Sequence, residues 1–221
     1  MQTLQEHQGK LLMKTALFAS LVMLLFIPLQ IIIFAISRPP ETAVDWFALF
    51  EQNWLLGLLE MDALYIIDNV LVALVYLALY HELRWKRQDL MTIALVLGLL
   101  GIGAYFSSNP AFEMWEASRR YTQSQDKNLW LSIGEGLILR WRGTAFDIYY
   151  VLNGITLIII SICMYNSRFG NTTATIGLIS GLLMAIPSTA GVIGLVFSIL
   201  SLIPWMLFLF CLVRTFSKPT A

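Results

Sequence analysis

The feature that most constrains this chain is a series of long stretches without charge. From Thr15 to Ser37 no residue is ionisable, and Lys10 and Lys14 precede the run. A stretch of about 23 apolar residues crosses a ~30 Å hydrocarbon core at 1.5 Å per residue. A secretory signal has an apolar core of only about 7–15 residues, so Ala35-Ile-Ser37 is read as the end of a retained first helix rather than as a cleavage site. Pro28 inside the run predicts a kink. Similar stretches recur, and the expected spans are 15–37, 59–80, 90–106, 144–165, 172–186 and 190–213. Pro204 predicts a kink in the last. The expected architecture is therefore all-α: one polytopic membrane bundle of six transmembrane helices over residues 1–221, with an interfacial helix and a helical outer loop.

Composition agrees with lipid as the solvent. The 221 residues are 58% hydrophobic and 13% charged, where soluble domains carry about 25% charged residues. The formal net charge is +0, which excludes nucleic acid as an expected partner. Cys163 and Cys211 lie in apolar runs and read as buried small hydrophobes, with neither disulfide nor metal-site spacing. His7 and His81 are far apart, so no metal centre is expected. Gly-rich phosphate loops, His pairs four apart around a Glu, and a Gly-x-Ser-x-Gly elbow are all missing. No cofactor is implied, and no segment repeats another in inverted form.

The segment from Thr42 to Gly57 places Trp46, Phe47, Phe50 and Trp54 at helical spacing, the pattern of a helix lying at the membrane interface. In the polar connection from Ala111 to Gly143, Glu113, Glu116, Arg119 and Arg120 stand three and four apart and can pair along a helix. Gly98, Gly101 and Gly103, Gly177 with Gly181, and Ala190 with Gly194 allow close helix approach. Orientation follows from Lys and Arg. With six spans, one side holds Lys10, Lys14, Arg84, Lys86, Arg87, Arg168, Arg214 and Lys218 against Glu6, Glu82 and Asp89. The other side balances its basic residues with Glu41, Asp45, Glu51, Glu113, Glu116, Asp126 and Glu135. Both termini are therefore expected in the cytoplasm.

Against this background Glu60-Met-Asp-Ala-Leu-Tyr-Ile-Ile-Asp-Asn69 stands out, because it opens the second span. A carboxylate at the centre of a membrane helix costs about 2.5–3.5 kcal/mol on insertion scales. Asp62, Tyr65, Asn69, Tyr76 and Tyr80 fall on one stripe at about 100° per residue, with Asp68 on an adjoining face. The fourth span brings Asp147, Tyr149, Tyr150 and Asn153 to similar depth, and Arg140 and Arg142 precede it. The candidate cavity residues are Asp62, Tyr65, Asp68, Asn69, Asp147, Tyr150 and Asn153. Three readings stay open. One is a non-enzymatic protein with an outward-facing acidic cavity for a cation, a proton or a small ligand. Another is an intramembrane cyclase, isomerase or lyase with Asp68 or Asp147 as general acid. The third is a structural or accessory subunit with a protein partner. The bland alternative for the acid is interhelical pairing with Asn153, Tyr150 or an Arg, which contributes about 0.6 kcal/mol on average.

Three further stretches carry a resemblance: Glu113-Met-Trp-Glu-Ala-Ser-Arg-Arg-Tyr121, Leu131-Ser-Ile-Gly-Glu-Gly-Leu137 and Gly143-Thr-Ala-Phe-Asp-Ile-Tyr-Tyr-Val-Leu152. Together with Thr175-Ile-Gly-Leu-Ile-Ser-Gly181 and Ile186-Pro187, they resemble a family of bacterial six-helix membrane proteins known as a domain of unknown function. The resemblance covers most of the chain from about Asp68 onward. It implies a bacterial inner-membrane protein and supplies no catalytic residues.

Overall fold

The computed structural model describes residues 2–218, with side chains described from Gly9. The side chains of Glu6 and His7, used above, lie outside them. Ten helices follow in order: α1 (Gln2–Ile36), α2 (Ala43–Gln52), α3 (Trp54–Glu60), α4 (Ala63–Leu83), α5 (Gln88–Ser108), α6 (Ala111–Gln123), α7 (Lys127–Trp141), α8 (Thr144–Met164), α9 (Gly170–Met184) and α10 (Gly191–Phe216). Five of them, α1, α4, α5, α8 and α10, are long and apolar enough to cross a membrane. The sixth expected span, α9, has 15 residues, about 22 Å at the α-helical rise, which is shorter than a ~30 Å core.

These six helices form a ring in chain order. Each packs against its sequence neighbour in the ring, and α10 closes on α1. Contact across the ring, between α4 and α8, is sparse. The ring is cemented by one apolar core that runs from Met13, Ala16 and Met23 through Val75 and Leu79 to Leu157, Phe208 and Leu212. Outward-facing Phe18, Leu25, Val96, Ile193 and Ile203 stay exposed. For these helices that is the expected pattern, because lipid is as apolar as the core and gives no drive to hide them.

Glycines set the closest approaches. A Cβ on Gly154 would lie 2.9 Å from the Gly181 carbonyl, and one on Gly181 would lie 2.9 Å from the Gly154 carbonyl. The α8 and α9 backbones therefore touch there. Gly98 makes room for the Tyr76 ring, whereas Gly103 has open space around it. Pro28 and Pro204 both lie inside continuous helices.

The remaining helices, α2, α3, α6 and α7, build a separate cap at the end of the ring where α4 and α8 begin. Trp46, Phe47 and Phe50 are buried with Ala111, Met114, Ile138 and Trp141 in a core of their own. The aromatic stripe of α2 is thus covered by protein: Trp46 meets Trp141 edge-on at 5.6 Å, and Phe47 packs on Tyr121 at 5.1 Å. Trp54 is half exposed and stacks on Trp115 at 5.4 Å. The expected charge ladder is present on α6, with Arg120 2.7 Å and Arg119 3.6 Å from Glu116. Glu113 instead reaches across to Arg140 of α7 at 2.8 Å.

Candidate functional site

The second span does not begin where hydropathy places it. The chain breaks after α3 at Met61 and Asp62, and Asp62 takes a left-handed backbone (φ 62°) before α4 starts. Aspartate tolerates that conformation better than most residues. The turn is pinned from three sides. The Tyr105 hydroxyl donates to the Asp62 carbonyl (3.1 Å), the Asn109 amide donates to the Met61 carbonyl (3.0 Å), and the Trp141 indole donates to the Asp62 carboxylate (3.0 Å). Asp62 therefore leaves the helical stripe on which periodicity puts it and becomes the hinge between ring and cap. Burial pushes its carboxyl up to about 7; the Trp141 hydrogen bond opposes this, the charge of Glu60 adds to it and Arg142 opposes it. Glu60 is fully buried and neither of its oxygens makes a well-formed hydrogen bond among the described residues; burial pushes it to about 7 as well, opposed by the nearby Ser37 hydroxyl.

Deeper in the ring lies a cavity of about 60 Å³. That exceeds the roughly 10–15 Å³ one water needs. Tyr65, Asp68, Val72 and Tyr76 of α4 face it at three-, four- and four-residue steps, one helical stripe. Opposite stand Tyr149, Tyr150 and Asn153 of α8, and α10 contributes Ser198, Ser201 and Trp205. Asp68 is five residues into α4, Tyr150 six into α8 and Ser198 seven into α10, so the cavity lies roughly 8–11 Å from the cap end of the ring. It exists because a six-membered ring of helices leaves a centre that the sparse α4–α8 contact does not fill.

Four of the candidate residues, Tyr65, Asp68, Tyr150 and Asn153, thus meet in one space. Three do not. Asp62 belongs to the hinge. Asn69 is fully buried on the other flank of the α4 stripe, and its amide donates to the Tyr65 carbonyl within its own helix (2.8 Å). Asp147 is half-buried at the α8 entrance and accepts a hydrogen bond from the Thr189 hydroxyl. The stripe drawn through Asp62 and Asn69 is rotated from the observed one: Asp62 is not helical, and within α4 the cavity lies on the Asp68 flank of Tyr65 rather than the Asn69 flank. Tyr76, Tyr149, Ser198, Ser201 and Trp205 were not among the expected site residues. Tyr76 and Tyr149 fell on expected faces; Ser198, Ser201 and Trp205 are i, i+3 and i+7 on α10, a polar-aromatic face that periodicity could have marked.

The polar groups of the cavity mostly satisfy one another. The Tyr76 hydroxyl donates to Asn153 Oδ1 (3.1 Å), Asn153 Nδ2 donates to the Tyr149 carbonyl (3.0 Å), and Tyr150 and Ser198 share a hydrogen bond (3.1 Å). Ser201 donates to the Ser198 carbonyl (2.7 Å). The exceptions are the Tyr65 and Tyr149 hydroxyls, which make no hydrogen bond among the described residues, and Asp68. Asp68 is 6% exposed and its Oδ1 has no partner among the described residues, so the pairing with Asn153, Tyr150 or Arg is not made. Beside it, toward α1, a smaller recess lined by Phe26, Leu64 and Gln30 also opens on Asp68. Among the described residues no three His, Cys, Asp or Glu side chains converge as a metal site. The chain matches no family model, no curated protein and no solved structure.

Proposed function

We propose that the chain is a six-span protein of a bacterial inner membrane, of the kind its motifs resemble, with cytoplasmic termini and the helical cap on the outer face. In this reading the ring cavity binds or senses a cation, a proton or a small polar ligand drawn from the outer side. The observation that carries it is Asp68: an intramembrane carboxylate, buried, without a partner, and facing a cavity. Such a group is expensive to keep in a bilayer and defaults to a functional role.

The sixth span in this scheme is α9. The chain leaves α8 at the end of the ring remote from the cap and enters α10 at the cap end, so α9 must return between them. Its packing between α8 and α10 allows a short helix, because non-helical backbone at membrane depth is tolerated where protein covers it. The cap helix α2 and the connection formed by α6 and α7 then lie over the outer surface. A second reading draws on the same cavity: an intramembrane cyclase, isomerase or lyase in which Asp68 is the general acid, with Tyr65 and Tyr150 against the substrate. It requires Asp68 protonated near neutral pH, where cation binding requires it ionised.

The test is access. In a chain with Cys163 and Cys211 replaced by Ala, Ser198→Cys is expected to react with a small charged, membrane-impermeant thiosulfonate added outside intact cells. Alkaline-phosphatase fusions at Lys127 are expected to be active, and fusions within Arg84 to Arg87 inactive. No labelling of Ser198→Cys, or labelling only after permeabilisation, rules out an outward cavity; reversed fusion activities rule out the orientation.

A further inference from the structure

The chemistry of the cavity wall narrows its ligand, given that the cavity is a binding site as proposed above. Five aromatic rings face it, those of Tyr65, Tyr76, Tyr149, Tyr150 and Trp205, against a single carboxylate. We infer that the cavity takes a small organic ammonium ion, held by the Asp68 carboxylate and by the faces of these rings.

Three observations lead there. First, most neutral polar groups are spent, the Tyr65 and Tyr149 hydroxyls excepted. Tyr76 is bound to Asn153, Asn153 to the Tyr149 backbone, Tyr150 to Ser198 and Ser201 to the Ser198 backbone. A ligand recognised by a network of neutral hydrogen bonds, such as a sugar, would have to break these pairs. Second, the unspent charged group is Asp68, a buried acceptor that carries a full negative charge when ionised. An ion of opposite charge removes the cost of keeping it there. Third, the nature of the wall decides which cation. Calcium takes about six to eight oxygen ligands and magnesium an octahedron of about six, which one carboxylate and the two uncommitted hydroxyls of Tyr65 and Tyr149 do not offer. Aromatic rings present a negative face, and they attract a weakly hydrated alkylammonium that loses little on leaving water. A ring-lined pocket with one acid is the complement of that class.

Size and position fit. A volume of about 60 Å³ admits a methylated ammonium head and excludes a bulky drug-like cation, whose pockets run to roughly 300 Å³ and above. Ile27, Val72 and Leu202 line the same space and suit the methyl groups.

Isothermal titration of the full chain in lipid nanodiscs tests this, with methylammonium and tetramethylammonium chloride as probes. At least one is expected to bind saturably. Asp68→Asn, which keeps the shape of the side chain, is expected to weaken it by about tenfold or more, as a lost charge-pairing does. Tyr149→Phe keeps the ring and is expected to bind within about twofold, and Tyr149→Leu about fivefold or more weaker. Tyr149→Phe and Asp68→Asn keep the experiment decisive even where Tyr149→Leu does not fold. Binding of neither ammonium, binding unchanged in Asp68→Asn, or equal displacement by potassium or by neutral tert-butanol overturns the inference. The broader reading fails separately: it falls if Ser198→Cys is not labelled from outside, and it stands if that cysteine is labelled and protected by potassium alone.

Discussion

Replacing Asp62 by Asn isolates the electrostatics of the hinge. Asparagine tolerates the left-handed backbone of this position, and its side-chain carbonyl can accept the Trp141 indole N–H as the carboxylate does at 3.0 Å. What changes is the charge. The Asp62 carboxyl is raised from 3.8 to about 7, first by burial and further by the Glu60 charge. The folded pKa lies above the unfolded one, so the folded chain holds an extra proton between those two values. The stabilisation this brings is complete below the unfolded pKa and is lost as pH rises toward about 7. One pKa unit corresponds to about 1.4 kcal/mol, and half of the extra proton has already left at pH 7, so between pH 5 and pH 7 the wild type should lose about 2 kcal/mol through this group. Above pH 7 only about 0.4 kcal/mol more is lost. Glu60, raised from 4.5 to about 7, adds a slope of the same sign.

The expected outcome is a wild type less stable at pH 8 than at pH 5, and an Asp62→Asn chain that loses less over that interval. Adding Glu60→Gln should flatten the profile further. Unfolding by SDS in mixed micelles, followed by far-ultraviolet circular dichroism at pH 5, 6, 7 and 8, measures the slope. Identical slopes for the wild type and Asp62→Asn, or a wild type that gains stability with pH where the variant does not, would refute the reasoning.

Three further substitutions probe the ring. Gly154→Ala puts a Cβ 2.8 Å from the Ala185 amide nitrogen and 2.9 Å from the Gly181 carbonyl, so α8 and α9 must separate; a destabilisation of about 1–3 kcal/mol is expected. Gly103→Ala, with nothing within 4 Å, is its control and should be neutral or slightly stabilising; equal losses for the two, in the same SDS assay, would show that close backbone approach is not what Gly154 supplies. Tyr76→Phe removes the 3.1 Å bond to Asn153 and should cost about 0.6–1.7 kcal/mol, the range for interhelical hydrogen bonds in membranes; a variant at least as stable as the wild type would place that tyrosine's value in its ring alone.

Hydropathy made the membrane class legible, because runs such as Thr15 to Ser37 admit few other folds. The helical connection from Ala111 to Gly143 was legible too, from the spacing of Glu116, Arg119 and Arg120. What periodicity could not reveal is where a helix starts when an apolar run continues across a break. Leu58 and Met61 are as apolar as any residue of a span, yet both are buried in the cap, and the hydropathy of Leu59 onward masks the turn at Asp62. That turn depends on Tyr105, Asn109 and Trp141, partners far away in the chain, so no local signal announces it. Asp62 was expected in the cavity for this reason; Asn69 is helical, and which flank of Tyr65 turns inward is set by where α8 and α10 pack.

The same break explains how the ring can keep an unpaired acid. Had α3 and α4 formed one helix, Asp62 would have stood one face round from Asp68, adding a second carboxylate to the ring interior and a like charge to its field. The left-handed turn instead hands Asp62 to Trp141 and carries Glu60 into the cap side of the hinge. Asp68 is left as the lone carboxylate among the residues that line the cavity. A pocket with one acid and many rings selects for a single positive charge, whereas two acids at that depth would select for a divalent ion or share a proton. On the proposed reading of the cavity as a cation site, the hinge contributes to its selectivity although none of its residues lines it: restoring helical backbone at Asp62 should then change which cation binds, read by titration, and not only how stable the ring is.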